Sequence, residues 1–193
     1  CAEAFRGDGE IMASPMGTHP TLGARLAKAT FEPDLVLTDG VSLIVTPEGE
    51  IEAPMNYRRV FDTVWSGKRH VMMGASQIDA YGNQNISCLG DHATPKVMLL
   101  GVRGAPGNTI CHPTSYCVPQ HSTRVFVPRV DYVCGVGYDR ARALGAAAEF
   151  HEIRRVISDL GVFDFSPDGR LRIASLHPGV TLEQVRDNTG FDL

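Results

Sequence analysis

Apolar and polar positions alternate in short blocks along the whole chain. Residues 20–30 place Leu22 and Leu26 one turn apart, which predicts a short helix ended by Glu32 and Pro33. Residues 34–45 read as a strand, a turn at Asp39 and Gly40, and a second apolar run; residues 47–50 form a further turn. Val60, Phe61, Val64 and Trp65 make one stripe over residues 57–66, a second helix stopped by Gly67. Strands are expected at 71–73, 97–102, 124–127, 130–134, 154–158, 162–165 and 171–175. A closing helix follows Pro178 and Gly179, with Thr181 and Gln184 in capping-box spacing. Mixed strands and helices at short intervals predict α/β architecture, and the strand-rich second half predicts a mixed, largely parallel sheet flanked by helices. Residues 1–193 fit a single domain with a real core.

Composition narrows the function. Hydrophobic residues make up 43% and charged residues 21%, as in ordinary globular chains. The net charge of −4 comes without a basic block, so no nucleic-acid partner is expected. The longest apolar runs are too short to span a membrane. No secretory leader is visible, and the start at Cys1 without a methionine leaves room for preceding residues. Cys1, Cys88, Cys111, Cys117 and Cys134 are scattered with no CxxC pair, which fits reduced thiols and a cytoplasmic location.

Two loops concentrate chemistry. After the apolar residues 70–73, the chain turns through Gly74 and Gly82 and presents Gln77, Asp79, Asn83, Gln84 and Asn85 together. Amides at the end of a strand suit ligand binding at a sheet edge. In the second loop, residues 101–108, Gly104 and Gly107 permit positive φ and close approach, and Pro106 stiffens the turn. Arg103 could reach a carboxylate or thioester oxygen with its fork of donors, and Asn108 with the loop N–H groups could stabilise an oxyanion. Residues 111–121 hold Cys111, His112, Cys117 and His121, but the spacing matches no common zinc pattern, so no metal is expected. That segment, with its two prolines, reads as a loop lining the same cleft, Ser115 and Tyr116 being its hydrogen-bond donors. A Cys117–imidazole nucleophile is a further reading. His70, His151 and His177 have local, structural readings.

The block Gln77-Ile-Asp-Ala-Tyr-Gly-Asn-Gln-Asn85 resembles a loop of the β subunit of class I coenzyme A transferases. Residues 156–165, the turn 166–169, and 176–190 with Pro178-Gly-Val-Thr181 resemble the C-terminal part of the same subunits, so the likeness runs over residues 34–191. In that family a glutamate attacks the acyl-CoA thioester. The corresponding turn here reads Leu37-Thr-Asp-Gly40, with no glutamate, and Asp39 is shorter by one bond of roughly 1.5 Å. Segments 10–16, 37–40, 69–74, 81–87, 101–110 and 114–116 look most like the β subunit of bacterial steroid ring-cleaving hydrolases. That resemblance implies an α-subunit partner in a heterodimer or heterotetramer, with the working glutamate on the α subunit. It also implies Arg103 as the arginine contributed by this chain and an acyl-CoA substrate in place of any bound cofactor. The short segment 46–56 leaves the exact substrate open. Two alternatives remain. One is a true CoA transferase of glutaconate or 3-oxoacid type using Asp39. The other is an effector-sensing domain, which would be attached to a basic helix-turn-helix that this sequence does not show.

Overall fold

The computed structural model describes residues 1–64, 67–99, 101 and 104–193, without the side chains of Tyr57, Phe61, Thr63 and Val64. After a 3-10 turn at Ala2–Phe5, the chain runs β1 (Met12–Pro15), α1 (Thr18–Thr30), β2 (Val36–Leu37), β3 (Leu43–Val45), β4 (Ile51–Pro54), α2 (Tyr57–Val64) and β5 (Arg69–Met73). Four short strands follow: β6 (Gln77–Ile78), β7 (Gln84–Asn85), β8 (Cys88–Leu89) and β9 (Val97–Met98). Then come α3 (Ala105–Cys111), β10 (Pro113–Val118), α4 (Tyr138–Leu144), β11 (Glu152–Ser158), β12 (Gly161–Phe165), β13 (Leu171–Leu176) and α5 (Leu182–Asp187).

Seven strands form the central sheet in the order β13-β12-β11-β10-β5-β1-β2. From β2 to β11 all pairs are parallel; β12 and β13 extend the sheet as an antiparallel meander. The α/β, mostly parallel architecture expected from the sequence is therefore present. Every residue of β5 is buried, as a parallel strand covered on both faces requires. On one face, Ala13, Met72, Cys117 and Ile157 pack with Phe5 and with Ala24 and Ala27 of α1. On the other, Val71, Met73, Tyr116 and Val156 pack with Ala105, Phe126 and Val185.

Several local expectations change. Residues 113–118 are a central strand, not a cleft-lining loop. Pro113 takes the first strand position and Pro119 lies just past the end, the two places where a missing N–H costs least. Residues 105–111 form α3 rather than a loop, with Pro106 tolerated in its first turn. Residues 124–134 are irregular. Phe126 and Val127 are buried, and Ile78 holds them by exchange of backbone hydrogen bonds with Val125 and Val127 at a single bridge. Burial rather than a ladder explains that apolar run. Of the strand expected at 97–102, Val97–Met98 form β9, Leu99 and Gly101 belong to no strand, and residues 100 and 102 lie outside the described residues. On α1 the buried positions are Pro20, Gly23, Ala24 and Ala27, while Leu22 and Leu26 face outward at 59% and 56% exposure. The stripe of α2 falls partly on Phe61, Val64 and Trp65, whose side chains lie outside the description. The closing helix starts as expected, the Thr181 hydroxyl accepting from the Gln184 N–H at 3.1 Å.

Candidate active site

The amide-rich loop leaves the carboxyl end of β5 and is folded into the protein. Gln77 donates to Asp131 Oδ2 at 3.0 Å and accepts from Asn85 Nδ2 at 2.7 Å and the Asp131 N–H at 2.9 Å. Asn83 Nδ2 donates to both Asp79 oxygens and to Asp139, and its carbonyl accepts from the Gly137 N–H. Asn85 Nδ2 also donates to the Cys88 carbonyl, and its own oxygen accepts from the Ser87 N–H. Burial pushes the Asp79 carboxyl above its ordinary value, partly offset by the Tyr81 N–H and Asn83. A Cβ on Gly137 would sit 2.6 Å from the backbone of Tyr81 and Asn83, so glycine permits this close approach. Gln77, Asn83 and Asn85 were expected to meet substrate. Buried and saturated, they instead cross-link residues 77–88 to residues 131–139.

Ser115 and Tyr116 are likewise fully buried in β10, not donors on an open wall. Tyr116 packs in the core, its hydroxyl 3.5 Å from the Gly82 carbonyl; Ser115 Oγ lies 2.9 Å from His70 Nε2. His70 Nδ1 in turn lies 2.7 Å from Asp8 Oδ2, and Arg154 donates to the other Asp8 oxygen. His70 does not cap a connection before the strand: it lies inside β5, buried, with both ring nitrogens partnered by residues far away in sequence.

Its neighbour Arg69 points to the opposite face. Arg69 is 4% exposed; Nε donates to Ser14 Oγ at 2.8 Å and Nη1 to Asn108 Oδ1 at 3.2 Å. Burial pulls its guanidinium down to about 10, still charged at neutral pH. The Asn108 amide is therefore turned inward to Arg69 and not toward an oxyanion. Gly104 caps α3 at φ −95°, Gly107 lies within that helix, and neither adopts positive φ. Arg103, which precedes Gly104, lies outside the described residues.

Asp39 is exposed at the end of β2. Its Oδ1 accepts from the N–H groups of Val41, Ser42 and Leu43, each at 2.9 Å. A carboxylate held this way anchors a turn and loses nucleophilicity. The metal candidates part company. Cys117 packs on the α1 side, while His121, with nitrogens bonded to Ser158 and Thr189, stacks on Phe126 across the sheet. Burial lowers His121 and His112 to about 4, so both are neutral imidazoles near pH 7. Among the described residues no group of three or more His, Cys, Asp or Glu is arranged to hold a metal ion.

Arg69 and Asp8, each the centre of its own polar cluster, were not legible in the sequence, because their partners lie 39 to 146 positions away and leave no local signal. None of the described helices is long and apolar enough to cross a membrane.

Comparison with known proteins places this geometry. The coenzyme A transferase family model matches residues 59–188. The cholesterol ring-cleaving hydrolase IpdB subunit of Rhodococcus jostii (strain RHA1) is 56% identical over 200 residues, covering 100% of this chain and 79% of that protein. The crystal structure of Rhodococcus jostii RHA1 IpdAB superposes with TM-score 0.95, covering 100% of this chain and 81% of that one. Glutaconate coenzyme A-transferase from Acidaminococcus fermentans superposes with TM-score 0.82 at 25% identity, covering 98% of this chain and 82% of that one. The chain belongs to the coenzyme A transferase family.

Proposed function

We propose that this chain is the β subunit of a cytoplasmic heteromeric enzyme that hydrolytically opens the last ring of a steroid-derived CoA thioester. The observation carrying this reading is the 56% identity to the IpdB subunit over the whole chain. The turn at Asp39 agrees with it: the carboxylate is committed to three backbone N–H groups, and this chain offers no glutamate there. The partner subunit would then supply the working carboxylate. As general base it takes a proton from water, whose oxygen adds to a ring carbonyl of a β-diketone-like thioester. The adjacent carbon–carbon bond breaks, its electron pair passes into an enolate, and protonation of that enolate completes hydrolysis. Arg103 stabilises the enolate oxygen. Coenzyme A enters as part of the substrate.

The test is co-expression with the partner subunit and assay of ring opening by mass spectrometry, beside the isolated chain. Turnover by the complex alone is expected; robust turnover by the isolated chain overturns the shared-site reading. The second reading, a CoA transferase, is favoured by the likeness to glutaconate coenzyme A-transferase. Borohydride trapping of an Asp39 thioester after incubation with acyl-CoA would establish it in place of the first.

A further inference from the structure

Arg69 is a cation shut inside the fold, and among the described residues no anion lies beside it. Its partners, Ser14 and Asn108, are neutral, and no Asp or Glu side chain lies within 4.0 Å among the described residues. Buried arginines normally come paired, because a guanidinium loses its hydration on burial and neutral acceptors return only part of it. A methionine would fill this position at lower cost, so the charge and its fork of donors answer a different requirement. The geometry shows what they join. Ser14 lies in β1, Arg69 opens β5, and Asn108 lies in α3, so one side chain ties two central strands to that helix. Asn108 is held at its backbone too: its N–H donates to the Gly104 carbonyl at 3.0 Å, and its carbonyl accepts from Thr114 Oγ1 at 2.9 Å. One residue further, Thr109 Oγ1 accepts from the Val136 N–H at 2.9 Å. The helix so anchored is the one whose cap, Gly104, follows Arg103 directly in sequence.

We propose that Arg69 is a positioning residue for the reaction: through Asn108 it fixes α3, the helix capped by Gly104, which follows Arg103 in the sequence. This rests on the ring-cleaving reading for its kinetic consequences, though not for its structural ones. Arg69 is buried and acts through the residues it holds. A displacement of about 1 Å at a reacting centre costs on the order of a hundredfold in rate, so a fastener of this kind acts on turnover and leaves binding largely intact.

The experiment uses the assembled complex carrying Arg69→Met, Arg69→Lys, Asn108→Leu and the Arg69→Met/Asn108→Leu pair. Expected for Arg69→Met is a kcat loss of roughly ten- to a hundredfold with KM within about threefold. Arg69→Lys keeps the charge but reaches one partner at a time, and falls between wild type and Arg69→Met. Because both residues act through one link, the double variant is no slower than the worse single by more than about twofold. In parallel, amide hydrogen exchange at Asn108 and Thr109 speeds up by about tenfold or more in Arg69→Met, while Met72 and Tyr116 in the strands keep their protection. A wild-type kcat in assembled Arg69→Met, a loss confined to KM, or multiplicative effects in the double variant overturns the proposal. If Arg69→Met does not fold, Arg69→Lys and Asn108→Leu carry the same criteria. If the wild-type complex does not open the ring, the ring-cleaving reading fails, and exchange at 104–111 decides alone: unchanged exchange there overturns the positioning role.

Discussion

Asp8 and His70, 62 positions apart, meet at 2.7 Å between Oδ2 and Nδ1, with both side chains closed to water. The pair ties the N-terminal segment to the middle of the sheet, and Ser115 and Arg154 complete the network. Asp8→Asn leaves Arg154 without its buried acceptor charge and forces His70 to find another partner. Removing one member of a buried ionic network costs about 3 kcal/mol. Urea denaturation should show that loss; a change below about 0.5 kcal/mol would make the network incidental.

Gly40 has φ +86°, and a Cβ there would overlap the Pro15 carbonyl oxygen. Neither the conformation nor the clash has a cheap escape, because the obstacle is backbone. Gly40→Ala should destabilise by about 2 kcal/mol or more. A thermal midpoint equal to wild type would contradict this.

For Asp39, burial alone would raise the carboxyl, but the N–H groups of Leu43, Val41 and Ser42 outweigh it and hold it below its ordinary value. Its stabilising contribution is therefore complete above the unfolded value of 3.8 and is lost as pH falls through the lower folded one. Asp39→Ala should cost about 1 kcal/mol at pH 7, the usual value of a carboxylate capping backbone N–H groups. The gap to wild type should close in acid below the folded value. Its complex should keep kcat within about threefold; a loss beyond a hundredfold would move the chemistry onto Asp39.

Arg103→Ala should fold, assemble and lose about a hundred- to a thousandfold in kcat, as for removal of one oxyanion donor. Arg103→Lys should remain impaired, since an ammonium cannot reproduce a two-pronged contact. Steady-state kinetics on the complex decide this, and near wild-type kcat in both variants would remove Arg103 from the site.

What the sequence made legible was local. Thr181 and Gln184 announced their helix because a cap spans one turn, and β11 to β13 showed apolar runs broken by the turns at 159–160 and 166–170. β10 did not, because its Thr114 and Ser115 look like loop residues. They are buried only because the Asn108 carbonyl and His70 receive them. The amide loop was recognised as special, but its partners Asp131, Gly137 and Asp139 lie some fifty residues on, so its amides read as ligand contacts rather than as fastenings. Leu22 and Leu26 misled in the opposite direction. α1 approaches the 3-10 turn so closely that a Cβ on Gly23 would meet Cys1 Cβ at 2.5 Å, and small residues rather than leucines form that contact.

The sheet topology also sets an order of assembly. The meander from residue 152 to 176 closes through short turns, whereas β1 must find β5 across the 57 positions separating Met12 from Arg69. Nearby pairings close with less loss of chain entropy, so the last-synthesised third of the sheet should order first and the earlier strands add to it. Pulse-labelled exchange during refolding should protect Val156 and Phe163 before Met72; simultaneous protection would mean the sheet forms in one step.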